Sequence, residues 1–386
     1  MTVKQAGSRS NSGAAATAAV LAGAAILAGY LAMALLASPG TPLCAGGLSA
    51  LTHWDGAWYH GIALHGYAPI AGPQQPTNFF PLFPAVAALS HLLLPFLPLE
   101  VTGVAVNCAA ALGALLLCER LLRDVAGTPR VLAVVFLVTV PGALFLVVFY
   151  SEALFLFLVV LCLWACDRRR LVVAAAAVAL ATLDRPPGLL LLVPVAIVLW
   201  QDARVATLRG AAVIGLALMG VVATLAYFGI ARGDPLAYMH ARHAFGPNGT
   251  AWLVARHSPA FTATFFIDVF AFQPNALQAL TNAITPFPTG VGYYLDLVAI
   301  GALLLCLRYR KDWAIYSAAA LATNILVGGL NSQLRYAAVV APLWLATGVV
   351  LGQRSRGRVV LVVLMVAGLL VNLVLVRSFA NCAWAG

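Results

Sequence analysis

Apolar runs of spanning length recur along the chain, near residues 14–37, 101–119, 131–149, 152–167, 171–183, 188–200, 208–230, 291–308, 312–330, 335–352 and 357–377, separated by short polar or basic joints. Stretches apolar on every side, close to the ~20 residues that a bilayer crossing needs, predict transmembrane helices rather than the half-polar helices of a water-exposed domain. Several runs fall short of that length, so the pattern predicts about eleven spans, with ten to twelve allowed. The stretch FFPLFPAVAALSHLLLPFLP at 79–98 is equally apolar, but its prolines at 81, 84, 95 and 98 predict a broken, re-entrant or interfacial helix. If it crosses instead, the count is twelve and the loop at 120–130 moves to the other face.

One stretch interrupts the pattern early. HWDGAWYHGIALHGY, at 53–67, directly follows the first run and sets a single carboxylate, Asp55, among Trp54, Trp58 and Tyr59, with His53, His60 and His65 close by. As a short helix it places Trp54, Trp58 and Ile62 on one stripe facing lipid, with Asp55 and Tyr59 on the next. The plain structural alternative for Asp55 is a helix N-cap, Gly56 being the first helical residue.

Composition turns the pattern into a class. Hydrophobic residues are 63% of the chain and charged residues 9%, with a mean hydropathy of +0.97. These values predict an all-α polytopic membrane protein. The net charge of +10 lies in joints between runs: Lys4 and Arg9; Arg120, Arg123 and Arg130; Arg168 to Arg170; Arg204 and Arg209; Arg308, Arg310 and Lys311; Arg354, Arg356 and Arg358. With 79–98 not crossing, all six clusters share one face, which the positive-inside rule makes cytoplasmic. A basic stripe interleaved with aromatics is missing, so nucleic acid is not an expected partner. The polar N-terminus, 1–13, is expected to be disordered and cytoplasmic, and the run after it is too long for a signal-peptide core, so it reads as a retained span. The seven cysteines show no metal-ligand spacing and predict no metal site; Cys44 and Cys382 fall on the same face, where a disulfide is open but not inferable.

The other face collects the unusual polar residues. It receives 38–100 with the opening stretch, the corner with Tyr150, Ser151 and Glu152, the corner LDRPPG at 183–188, the long loop at 231–290, and NSQLRY at 331–336. Ionisable groups at a membrane edge are costly and mark sites. Glu152 reads either as a helix start capped through Ser151 or as a functional acid. Asp184 and Arg185, before two prolines, read either as a turn with a local ion pair or as a phosphate ligand, since the guanidinium fork matches phosphate oxygens. Arg335, beside Asn331, Gln333 and Tyr336, is either a snorkelling arginine or part of an anion pocket. In the long loop His240, Arg242, His243, Arg256 and His257 add cationic capacity without an assignable role. The chain has no phosphate-binding glycine loop, GxSxG or HExxH.

A carboxylate, arginines and aromatic walls at a lipid boundary suit glycosyl transfer from a lipid-phosphate sugar. Taken together, HWDGAWYHGIALHGY, NFFPLFP at 78–84, YSEALF at 150–155, DRPPGLL at 184–190 and QLRYAAVVAP at 333–342 resemble, in order, the integral-membrane mannosyltransferases of the PIG-V type within the GT-C superfamily. The resemblance implies a GT-C-like bundle, one domain over 1–386, whose extracytoplasmic first loop carries interfacial helices and the essential acid, here Asp55, and a polyprenyl-phosphate mannose donor. It places Glu152, Arg185 and Arg335 at the family's polar helix ends. Pro186 and Pro187 depart from the lone Pro or Asn often found there, and the histidine-rich loop has no counterpart.

The expected function is transfer of a sugar, mannose by resemblance, to a hydroxyl of a lipid-linked or cell-envelope glycan on the outer face of the plasma membrane, with inversion and Asp55 as general base. Trp54, Trp58, Tyr59, His53, Asn78, Tyr150, Glu152, Asp184, Arg185, Gln333, Arg335 and Tyr336 are the expected substrate-binding residues. No cofactor is expected; a divalent cation shared by Asp55 and Glu152 stays open, without a ligand spacing that demands it. The alternative is a transporter or flippase of a lipid-linked anion that performs no chemistry.

Overall fold

A computed structural model describes residues 3–36, 46–203, 207–242, 289–324 and 332–383. Cys44, Asn331 and residues 243–288, with His243, Arg256 and His257, lie outside them. The α-helices among the described residues are α1 (Val3–Leu36), α2 (Asp55–His65), α3 (Leu82–Leu93), α4 (Leu99–Leu121), α5 (Thr128–Leu137), α6 (Glu152–Asp167), α7 (Leu171–Asp184), α8 (Leu192–Gln201), α9 (Leu208–Arg232), α10 (Ala237–Arg242), α11 (Thr289–Tyr309), α12 (Lys311–Thr323), α13 (Gln333–Ala338), α14 (Ala341–Gly352) and α15 (Ser355–Ala380). α1 takes in most of the polar N-terminal stretch.

Among the described residues four helices are long and apolar enough to cross a membrane: Ala15–Leu36 within α1, then α4, α9 and α15. α9 and α15 bury only 28% of their spanning windows, and side chains such as Val359, Val363 and Leu370 are exposed along α15. Apolar faces of that extent have lipid as their natural neighbour. The protein is therefore a multi-pass membrane protein. α6, α7 and α14 are shorter and lie inside, with Leu158, Ala174, Trp344 and Leu345 fully covered.

Two predicted spans are broken. The run at 131–149 yields only α5; the chain then leaves the helix before Pro141, turns at Gly142 with φ of +94°, and forms a 3-10 turn over Ala143–Leu146. Irregular backbone at this depth must find partners within the protein. Asn372 of α15 supplies them, donating to the carbonyls of Thr139 (3.2 Å) and Val140 (2.9 Å) and accepting from Gly142 N–H (3.0 Å). Asn107 of α4 donates to the carbonyls of Val148 and Tyr150 at 2.5 and 2.7 Å. A Cβ on Gly142 would stand 2.4 Å from the Leu334 carbonyl oxygen, so the turn touches the segment that carries Arg335. The second break divides 335–352 into α13 and α14, because Pro342 cannot continue the helix; at the joint the Ala337 carbonyl accepts from Val340 N–H at 3.1 Å and from Trp344 Nε1 at 2.7 Å.

α3 is twelve residues long and ends before Pro95. α4 then begins beside α2, with Glu100 Oε1 3.3 Å from His60 Nε2. The start of α2, the starts of α4 and α6, the end of α7 and α13 thus meet at one end of the bundle. At the far end of α6, Asp167 pairs with Arg310 at 2.6 Å, where α11 and α12 join.

Candidate functional site

The first carboxylate of the site comes from α2. Trp54 precedes it at φ +57° and ψ −120°, a backbone region that non-glycine residues avoid, and Asp55 is the first helical residue, not the N-cap. Its side chain caps nothing and instead reaches Arg335, with Oδ2 2.5 Å from Nη2. Gly56 follows because the chain passes close to the next element: a Cβ there would sit 3.2 Å from both the Phe149 carbonyl oxygen and the Tyr150 ring. The lipid-facing stripe predicted for Trp54, Trp58 and Ile62 is corrected. Ile62 is buried, and Trp58 stacks on Phe79 at 5.6 Å, because α2 lies against α3 rather than flat in lipid.

Glu152 opens α6 and is 1% exposed. Ser151 makes no cap; its Oγ lies 3.0 Å from the Tyr59 hydroxyl. Glu152 Oε1 is 2.5 Å from Arg185 Nη1 and 3.7 Å from Arg335 Nε. The local Asp184–Arg185 pair is thereby replaced by a longer-range one. Asp184 is buried, and its two oxygens have no hydrogen-bond partner among the described residues. Arg335 does not snorkel: it is 6% exposed and bridges Asp55 and Glu152, and its Nη2 also donates to Ser332 Oγ at 3.0 Å. A buried arginine with two carboxylates for partners is held by charge that no water screens.

Aromatic faces complete the arrangement. The Tyr336 ring centre is 4.8 Å from the Arg185 guanidinium and 5.0 Å from that of Arg335, and the Tyr150 ring is 5.6 Å from the latter. Tyr150 also donates its hydroxyl to the His53 carbonyl at 3.0 Å, tying the α6 corner to the residue before Trp54. Asp55, Tyr150, Glu152, Arg185, Arg335 and Tyr336 therefore form one cluster.

The other expected residues serve it indirectly. His53 Nδ1 is 2.9 Å from the Phe379 carbonyl oxygen, and Trp54 Nε1 donates to the Ala383 carbonyl at 3.1 Å, so both are engaged by the end of α15. Cys382 is disulfide-bonded, and Cys108, Cys118, Cys162, Cys166 and Cys306 are free thiols. Asn78 ends a 3-10 turn, with its Oδ1 buried and unsatisfied. Gln333 donates to Asp296 Oδ1 at 2.5 Å. Asp296 went unnoticed in the sequence, although an acid inside an apolar helix was its signal.

Next to the cluster opens a cleft of about 100 Å³, bordered by Arg185 and Tyr336 and, from α10, by Tyr238 and Arg242. Its apolar side is made by Pro186, Pro187, Val339 and Val340. α10 is fixed over the cleft: Thr77 Oγ1 donates to the Ala237 carbonyl at 3.4 Å, the Tyr238 ring meets Phe80 edge-on at 4.8 Å, and Asp234 Oδ2 is 2.7 Å from His240 Nδ1. Among the described residues no group of three or more His, Cys, Asp or Glu is placed to hold a metal ion.

The fold and site define an all-α, multi-pass membrane protein that sets one buried and one half-buried carboxylate between two arginines beside an amphipathic cleft. No protein-family model and no curated protein matches the chain. Among solved structures it is similar to the oligosaccharyltransferase of Archaeoglobus fulgidus in complex with zinc and sulfate, with a TM-score of 0.46 and 14% identity over 94% of this chain and 53% of that one. The apo form gives 0.45 and 16% identity over 94% and 56%. The archaeal oligosaccharyltransferase AglB from the same organism, in complex with an inhibitory peptide and a dolichol-phosphate, gives 0.43 and 17% identity over 94% and 56%. The chain spans about half the length of these structures.

Proposed function

We propose that the protein is a membrane glycosyltransferase that moves a sugar from a polyprenyl-phosphate donor to a hydroxyl of a lipid-linked or cell-envelope glycan, with Asp55 as general base. The carrying observation is the interlocked set Asp55–Arg335–Glu152–Arg185, buried at one end of the bundle. The sequence resemblance to PIG-V-type mannosyltransferases supports mannose as the sugar, and the count of apolar runs supports about eleven spans. The six basic clusters support placing the site on the outer face of the plasma membrane, opposite to them.

The reaction follows from charge. The acceptor oxygen attacks the anomeric carbon, the bond from that carbon to the phosphate oxygen breaks, and Asp55 takes the hydroxyl proton. The phosphate gains one negative charge as Asp55 loses one. Arg335, held by Asp55 beforehand, is released by that neutralisation toward the leaving phosphate, while Arg185 stands at the edge of the cleft. Attack opposite the leaving group inverts the sugar carbon. Glu152 keeps both guanidinium groups in place.

Purified protein supplied with a polyprenyl-phosphate sugar and a glycolipid acceptor should release polyprenyl phosphate, and Asp55→Asn should stop that release by at least about a thousandfold, the scale of a lost general base with its oriented charge. Wild-type turnover in Asp55→Asn would sink the assignment of the base. A transporter of lipid-linked anions would release none, and the concentration of polar groups at one end of the bundle is unlike the path across the membrane that transport requires.

A further inference from the structure

The two arginines expected to hold the phosphate are not equivalent. Arg185 borders the cleft, but Arg335 does not: it lies behind Tyr336, 6% exposed and occupied by Asp55 and Glu152. The second arginine on the cleft is Arg242, on α10. None of the segments that carry the family resemblance includes α10, so the resemblance gives Arg242 no role.

We propose that Arg185 and Arg242 together grip the phosphate of the donor in the ground state, with Arg335 kept for the charge that develops on the leaving group. This rests on the glycosyltransferase reading above. A phosphodiester has two non-bridging oxygens sharing one negative charge, and two guanidinium forks bordering one opening can offer a charge-assisted donor to each. The apolar side of the same cleft, Pro186, Pro187, Val339 and Val340, fits the first isoprene units. α10 presents Arg242 from a fixed position, because Thr77, Phe80 and the Asp234–His240 pair hold that helix.

Farnesyl phosphate and its uncharged counterpart farnesol are suitable probes, titrated into the detergent-solubilised full chain and read by tryptophan fluorescence. The ratio of their affinities isolates the phosphate contribution, so a general loosening of α10 cannot imitate the effect. Wild type should favour farnesyl phosphate. Arg242→Gln should reduce that preference by about tenfold, the scale of one charge-assisted contact, and Arg242→Lys should keep part of it. Met239→Gln, on the same helix with Met239 58% exposed, should match wild type. An unchanged preference in Arg242→Gln overturns the assignment of Arg242 and leaves the glycosyltransferase reading intact. No preference in wild type overturns both.

Discussion

Arg335 is the residue on which the site's charges depend. Its guanidinium meets Asp55 and Glu152 at once, in surroundings with almost no water. Removing this buried cation strands the Asp55 charge and leaves Glu152 with Arg185 alone, which costs about 3–5 kcal/mol. Arg335→Gln should therefore lower the unfolding temperature of the detergent-solubilised protein far more than Asp55→Asn does. The double variant should regain part of the loss, because the stranded charge is gone. Strict additivity of the two effects would show that the pair is not coupled. Arg335→Lys should not restore the wild type, since an ammonium cannot span two carboxylates as the planar fork does. The sequence brought these residues into view because charged groups at the ends of apolar runs are conspicuous. Their partners were not legible: the nearest acid to Arg185 along the chain is Asp184, yet the corner geometry turns Arg185 to Glu152.

At the scale of elements, the position of Glu152 is set by backbone that is not helical at all. The stretch from Thr139 to Tyr150 is covered on all sides, and its polar groups are met by Asn372 and Asn107. Asn372→Leu removes both a donor and an acceptor from this backbone and leaves buried groups unsatisfied, at about 1–3 kcal/mol for each. The variant should unfold at a lower temperature and lose glycosyl transfer. Unchanged stability and activity would mean that the segment does not need the clamp. Such breaks were hidden in the sequence because a continuous span and a broken one inside protein are equally apolar. A lone asparagine in the last apolar run and another in 101–119 were the available signals, and each reads as ordinary packing until its partner is known. The α10 contribution was hidden for a different reason, since Arg242 sits among several cationic loop residues with no pattern to single it out.

For the whole molecule, the contact between Glu100 and His60 puts the start of α4 at the same end of the bundle as Asp55. Residues 79–98 then begin and end at that end of the bundle, and the loop with Arg123 and Asp124, past the other end of α4, lies away from the site. A single cysteine introduced at Asp124, in a chain otherwise keeping its disulfide, should react with a membrane-impermeant maleimide only after the cells are permeabilised. A cysteine introduced at Pro73 should react in intact cells. Labelling of the Asp124 position from outside would overturn the topology and the outer-face assignment with it. The order of the elements was readable from hydropathy and the prolines, whereas the exact lengths were not, because inner helices such as α6 and α7 are covered by protein and need not match the bilayer.

The contacts that brace the loop before Asp55 come from the far end of the chain: Phe379 to His53 and Ala383 to Trp54 are separated by 326 and 329 residues. During synthesis the acid reaches its side of the membrane long before its support exists, and every intervening helix must be inserted before that support can close. A chain that stops early thus carries Asp55 without the contacts that brace the loop before it.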